Sequence, residues 1–522
     1  MRNSHPLLLF WTACSTILIA VFAGFHFGRK SIFSQDPPRV VTAEFEQSID
    51  SISAPFSFSE PIPLKRLATE WEPQRALILS MSFPDSMASP DVATFQIQLL
   101  AIAHQYTAIL VFSEHDHTRA HAYFLSLLAD HPQADSIAQK THFIDSRNLM
   151  RWVRDFGPLF GYDLNRELVA IDFVYRNLNR DPRQSNLTES DSFRQFLSQQ
   201  GDAMPTDLVV ELRRRYEEEV SLVRPPLMMD GGDFVYDGNG NVFISAKTLV
   251  RNGGNHRKLQ TLIEDYLGGS KLHVLEALPG ATVNHLDMIL KFVDSDTALI
   301  PSYQSPPVES LNRYQLNLTN RVQEVLKNNE TYLREKLPNV RLIKVPMPPI
   351  MFKSADEVFV EVRTEFFEMM ALGLEVVTAE DLGRLSARGR ANLEIQMREV
   401  LQKEIGRADF DSLNGFDSVL RHYQHMPLSK YLDLHSEPVT RYRSYINSVF
   451  LRNPAGDHGF VIPRFTSNQP TEAAQLKDWE NQVQAAYKVA WPKAQIHWIN
   501  CDSLVPDMGF VHCMTMTVPA GP

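Results

Sequence analysis

RALILSMSFPDSMASPDVATFQIQLLAIAHQYTAILVF, residues 75–112, decides the architecture. Residues 75–83 are an aliphatic run that reads as a buried strand, residues 92–105 as a helix, and residues 107–112 as a second aliphatic strand. Strand alternating with helix predicts an α/β fold. The alternation continues outward from there. Strands are expected at 168–173, 288–292, 297–301 and 340–345, and helices at 191–200, 208–221 and 306–336. Residues 234–244 read as a hairpin, because Asp237-Gly238-Asn239-Gly240 supplies residues that accept positive φ. Towards the C-terminus, strands are expected at 445–451, 460–463, 495–499 and 512–517, with a helix at 472–488.

Composition bounds what this chain does. Of 522 residues 44% are hydrophobic and 22% charged, which excludes wholesale disorder. Lys and Arg number 51 against 62 Asp and Glu, a net charge of -11, so no basic surplus draws the chain to nucleic acid. Three cysteines, Cys14, Cys501 and Cys513, exclude a disulfide scaffold. Leu7–Phe27 is uncharged and mostly apolar, about the 20 residues a membrane-crossing helix needs. It reads as a membrane anchor or a signal segment within residues 1–30, and implies a membrane-anchored or exported, extracytoplasmic body. Residues 31–65 are rich in Ser, Pro and Phe and read as a linker. Residues 66–522 form the globular body, interrupted at about 351–440 by a mostly helical insertion.

Four clusters carry candidate chemistry. RWVRDFGPLF, 151–160, sets Arg154 and Asp155 beside Trp152, as a structural ion pair or a clamp. MMDGGDF, 228–234, lets backbone approach something closely at Gly231 and Gly232 between Asp230 and Asp233. VNHLDMILKF, 283–292, places His285 and Asp287 on one face if the segment is a strand; a satisfied structural histidine is the alternative. FVHCMTMTVP, 510–519, holds Cys513 among apolar and hydroxyl residues, as a nucleophile or as inert packing.

Taken together, WVRDFGP, MDGGDF, NHLDM and VHCMT, in this order, resemble the agmatine deiminase and bacterial-type peptidyl-arginine deiminase family of guanidine-modifying enzymes. VPMPP, YINSVF and VIPRF look like further landmarks, and the resemblance covers residues 67–349 and 442–519. It implies the pentein fold, five ββαβ units forming an α/β propeller around a central site. It also implies hydrolysis of a guanidine to a ureido product and ammonia, without metal or organic cofactor. By match to the motifs, Asp155 and Asp287 grip the guanidinium, Cys513 attacks its carbon, and His285 moves the protons. Trp152 walls the pocket, and Asp230, Gly231 and Gly232 lie against the substrate. The family's Glu-Gly-Gly is Asp-Gly-Gly here, one methylene shorter at Asp230, and Asp233 stands where Asn is common.

The expected substrate is arginine or peptidyl-arginine, with agmatine as the enzymatic alternative and amidino transfer as a third chemistry. A different class of reading is a non-catalytic scaffold working through the insertion. Several other features are set aside. His115, His117 and His121 lack an accompanying acidic or cysteine ligand set, and the loop from Asp237 lacks the glycine and Glu of a calcium loop. RRRYEEE, 213–219, reads as an exposed helical face, and Cys501 as a packing residue or a disulfide partner that would silence Cys513.

Overall fold

Aliphatic runs of this kind belong inside a sheet covered on both faces. The computed structural model describes residues 58–81, 90–113, 117–145, 151–175, 189–281, 283, 285–307, 311, 313–352, 440–507 and 509–521. In it Gln74–Ser80 and Ala108–Ser113 run parallel, and Leu77, Ile78, Leu110 and Phe112 are fully buried. The helix Pro90–Ala103 makes the crossover between them.

Among the described residues, five sheets repeat one plan: an antiparallel pair, a helical connection, then a strand parallel to the second. Leu159–Asp163 pairs antiparallel with Leu168–Ile171, which pairs parallel with Val220–Val223. The next sheet is built of Val235–Tyr236, Asn241–Ser245 and Lys271–Leu275. Lys291–Asp294, Thr297–Tyr303 and Arg341–Met347 form a third, and Val449–Arg452, His458–Arg464 and Gln495–Asn500 a fourth. The fifth takes its antiparallel strand from the far end of the chain: Met516–Pro519 lies against Gln74–Ser80, with Met516 opposite Ile78. A sequence without visible residue-level repeats thus folds as a structural repeat, because each unit needs only an alternation of apolar strand and helix.

Local chemistry explains where the strands turn. Asp237 Oδ1 accepts from the backbone N–H of Asn239 and Asn241, each at 2.8 Å, and Gly238 and Gly240 take φ of +75° and +85°. The two helices expected at 191–200 and 208–221 are one, Glu189–Tyr216, running through Pro205. It stops earlier than expected. Glu217 takes φ 53°, and Val220 and Ser221 leave to pair with Leu168 and Val169. The charges of RRRYEEE therefore find partners outside the run: Arg214 and Arg215 reach back to Glu211, Arg213 donates forward to Val220 O, and Glu218 meets Arg75.

The end of the expected linker is docked, since Ser59 N donates to Arg224 O and Leu64–Leu67 joins a sheet edge. Leu7–Phe27 and most of the linker lie outside the described residues, and among those described no helix is long and apolar enough to cross a membrane. Residues 353–439 of the expected insertion also lie outside them. At its base Met351–Phe352 pairs antiparallel with Thr440–Arg441, so the chain leaves and re-enters the body at one place.

Candidate active site

The four motifs meet. Asp155 sits on the single turn Val153–Phe156, anchored by buried Val153 and Phe156. Arg154 faces the other way. Its Nη1 lies 3.0 Å from Glu70 Oε1, its Nε donates to Thr515 O, and its backbone N–H donates to Cys513 O at 3.2 Å. The ion pair expected within Arg154–Asp155 is therefore a pair with Glu70, and it ties the first motif to the cysteine turn.

Gly231 and Gly232 lie in a 3₁₀ turn, Gly231–Asp233, and neither position has room for a side chain. A Cβ on Gly231 would stand 2.1 Å from Arg154 O. One on Gly232 would stand 2.6 Å from His285 Nδ1 and 3.2 Å from both Asp155 Oδ1 and Asp287 Oδ2. Bare backbone is what lets three functional groups converge at this point. His285 and Asp287 do not lie on the expected strand. His285 caps a 3₁₀ turn, Leu286–Met288, whose Leu286 and Met288 enter the core. Cys513 is also off-strand, in turns where Met514 N donates to Phe510 O and Thr515 N to His512 O.

Around the thiol the distances are short. Asp287 Oδ2 is 3.5 Å from Cys513 Sγ, and the Asn447 amide Nδ2 donates to Sγ at 3.2 Å. Asn447 Oδ1 accepts the His512 backbone N–H at 3.1 Å, which fixes the amide's orientation. His285 Nδ1 is 3.4 Å from Asp155 Oδ1, and its Nε2 is 3.3 Å from Asp230 Oδ2. Trp152 presses on Gly509, where a Cβ would meet the indole at 2.3 Å, and the Arg151 guanidinium covers the ring at 5.0 Å. The Oδ1 atoms of Asp155, Asp230 and Asp287 are buried and have no hydrogen-bond partner among the described residues.

Several participants are absent from the motif reading. Glu70 Oε1 meets His512 Nε2 at 2.7 Å, Lys291 Nζ meets Glu70 Oε2 at 2.7 Å, and His512 Nδ1 meets Asp287 Oδ2 at 2.8 Å. A cavity of about 70 Å³ is lined by Glu70, Arg154, Asp287, Lys291 and His512, but by neither Cys513 nor His285. Arg251 closes on Asp230 at 2.6 Å. Lys291 inside an apolar strand and His512 beside the cysteine were the available signals; Glu70 and Arg251 had none.

The electrostatics follow from burial and crowding. Burial, reinforced by Asp287 and Asp155 against a hydrogen bond to His285, pushes the Cys513 thiol up to about 12. Burial resists charge on His285, yet Asp155, Asp230 and the thiol outweigh it and hold the imidazole well above its usual value. Asp155 rises to about 7, chiefly by burial and then by Asp230 and Asp287, despite His285 and Arg154. Asp230 and Asp287 go down in spite of burial, Asp230 through Arg251 and His285 and Asp287 through His512. Glu70 is likewise held well below the carboxylate range, because His512, Lys291 and Arg154 overcome its burial. Asp233, raised to about 6 by burial, is spent on Ser245 and Thr248 and supports the glycine turn. Cys501 is buried and unbonded to Cys513, and His121 packs edge-on against Phe143.

Residues 66–519 match the family described as Porphyromonas-type peptidyl-arginine deiminase. No curated protein matches the chain. Among solved structures, a substrate-bound agmatine deiminase of C. jejuni is similar at 14% identity and TM-score 0.54, over 87% of this chain and 96% of that one. A putative arginine deiminase of Porphyromonas gingivalis is similar at 16% identity and TM-score 0.53, over 87% and 98%. An agmatine deiminase of Enterococcus faecalis is similar at 15% identity and TM-score 0.52, over 88% and 99%. At such identities the likeness speaks for the fold.

Proposed function

This chain belongs to the Porphyromonas-type peptidyl-arginine deiminase family, and on that premise we propose that it hydrolyses the guanidine of arginine or peptidyl-arginine to citrulline and ammonia. The observation that carries the reading is the convergence on Gly232 of His285 Nδ1 and the carboxylates of Asp155 and Asp287, with Asp287 Oδ2 3.5 Å from the thiol of Cys513. Five repeated sheets, closed by the C-terminal strand against the first, support the five-bladed pentein architecture.

A guanidinium is planar and delocalised, so its carbon resists water. Asp155 and Asp287 accept paired N–H bonds from it and hold that carbon over Sγ. The resting thiol is a poor nucleophile because burial, and then the negative charge of Asp287 and Asp155, oppose its ionisation. A bound cation reverses the sign of that field and favours thiolate, the thiol proton passing to solvent while His285 keeps its own. Sulfur then bonds to the guanidinium carbon, and the C=N electrons move onto nitrogen. The C–N bond to the terminal nitrogen breaks as His285 supplies its proton, and ammonia leaves. His285, now neutral, takes a proton from water as the oxygen attacks the thiouronium carbon. The hydroxyl gives up its proton to solvent as the C–S bond breaks, its electrons return to sulfur, and the neutral ureido product leaves with the thiolate restored. Trp152 walls the site and Asn447 steadies the sulfur throughout.

Agmatine remains the competing substrate, in the manner of the C. jejuni and E. faecalis proteins. Ammonia and ureido product are to be measured with agmatine, arginine and arginine peptides, alongside labelling of Cys513 by a haloacetamidine. Absence of both turnover and labelling would sink the reading.

A further inference from the structure

Of the carboxylates of Asp155, Asp230 and Asp287, that of Asp230 alone forms a salt bridge with an arginine among the described residues. Arg251 ends the short helix Ala246–Arg251, and its Nη1 meets the same Asp230 oxygen that His285 Nε2 approaches. The contact is sheltered, with the Arg251 side chain 19% and that of Asp230 10% exposed. A guanidinium keeps its charge at every physiological pH. Lys247, one turn back on the same helix, lies in the field of Asp230, Asp233 and Arg251. Asp230 is thus already neutralised twice over, by Arg251 and by His285. Asp155 and Asp287 remain for a single guanidinium. A second positive charge on the ligand would meet Arg251 and Lys247 and no uncompensated carboxylate at Asp230.

We propose that Arg251 is a specificity-determining residue: by capping Asp230 it restricts the site to guanidines whose far end has no net positive charge, and rejects those ending in an ammonium. The proposal rests on the guanidine chemistry above and selects arginine in peptide or free form over agmatine. Like charges brought together in a sheltered site discriminate by on the order of tenfold.

The test compares two ligands of one shape, agmatine and pentylguanidine, as competitive inhibitors of turnover of N-acetyl-arginine amide by the full chain. Pentylguanidine should bind about tenfold more tightly, since its methyl replaces the ammonium. Arg251→Met should erase that preference and raise kcat/KM for agmatine relative to N-acetyl-arginine amide by about tenfold, whereas Arg251→Lys should keep the wild-type ratio. Equal or tighter binding of agmatine by the unaltered protein overturns the proposal without needing any variant. So does an unchanged ratio in an active Arg251→Met protein. Failure of every guanidine to release ammonia is a separate outcome, which removes the deiminase reading and this inference with it.

Discussion

Asp287 separates two regions built from the same kinds of side chain and opposite in condition. Towards Cys513, Oδ1 of Asp230 and of Asp287 has no hydrogen-bond partner among the described residues, Asp155 Oδ1 lies 3.4 Å from His285 Nδ1, and thiol, imidazole and Asp155 are all displaced from their ordinary ionisation. Towards Glu70, the contacts close: His512, Lys291 and Arg154 meet its two oxygens at 2.7 to 3.0 Å. One side leaves carboxylate oxygens incompletely paired, and the other fills both oxygens of its carboxylate. Buried charge left unpaired costs stability, whereas a paired cluster resists rearrangement. The contrast therefore marks which side meets a ligand and which side aims it, with Asp287 belonging to both.

The sharpest way to separate chemistry from framework is Cys513→Ser. Turnover should fall at least about 10³-fold, because a hydroxyl near neutral pH is a far weaker nucleophile than a thiolate. Thermal unfolding should hardly move. Retained ammonia release would put the nucleophile elsewhere.

Asp155→Asn tests the incompletely paired side, and should lower activity about 10²–10³-fold while raising stability by on the order of 2 kcal/mol at pH 8. The sign follows from a folded value near 7 against an unfolded carboxylate. Below the unfolded value both states hold the proton and nothing is lost. As pH rises the unfolded chain ionises first, so the wild-type penalty grows until Asp155 ionises too, and is complete above about 7. Denaturant titrations at pH 4 and pH 8 check this; a variant less stable than wild type at pH 8 breaks the contrast.

Glu70→Gln tests the paired side and should do the reverse in stability. Its side chain is 36% exposed, so solvent screening reduces the expected loss to about 1 kcal/mol. That contribution is present above the unfolded carboxylate value and disappears as pH falls through the lower folded one. Because Glu70 acts through His512 on Asp287, it is a positioning residue, and KM should rise by about tenfold with kcat less affected. An equal fall in kcat with KM unchanged would place it in the chemistry instead.

The smallest effect is in the pH profile. Free Asp155 grips a cation only when ionised, so kcat/KM should fall about tenfold per pH unit below pH 7, while kcat, which reports the bound state, should hold to lower pH. A kcat/KM flat from pH 5.5 to 7.5 would remove Asp155 from binding.

Much of this was legible in the chain. The aliphatic strands around residues 74–80 and 108–113 could only be interior, and the paired glycines announced a close approach that the space around Gly232 explains. His285 and Asp287 were picked out on strand periodicity and arrive together on a 3₁₀ turn instead. The local geometry differs from the expected strand, yet both side chains still reach Gly232, because the core captures Leu286 and Met288 and leaves His285 and Asp287 facing the glycine turn. Nothing in the sequence singles out Glu70 or Arg251, since a surface-like charge looks the same whether or not a distant partner is waiting.

The order of strands and helices, the acidic balance and the set of groups able to handle a guanidine belong to the chain read alone, since periodicity and side-chain chemistry are local properties. Which group faces which was settled by the fold. Arg154 turns from its neighbour Asp155 to Glu70, and Asp230 is capped by Arg251. Charges find partners across separately packed units, at distances set by the packing of the core and by no spacing along the backbone.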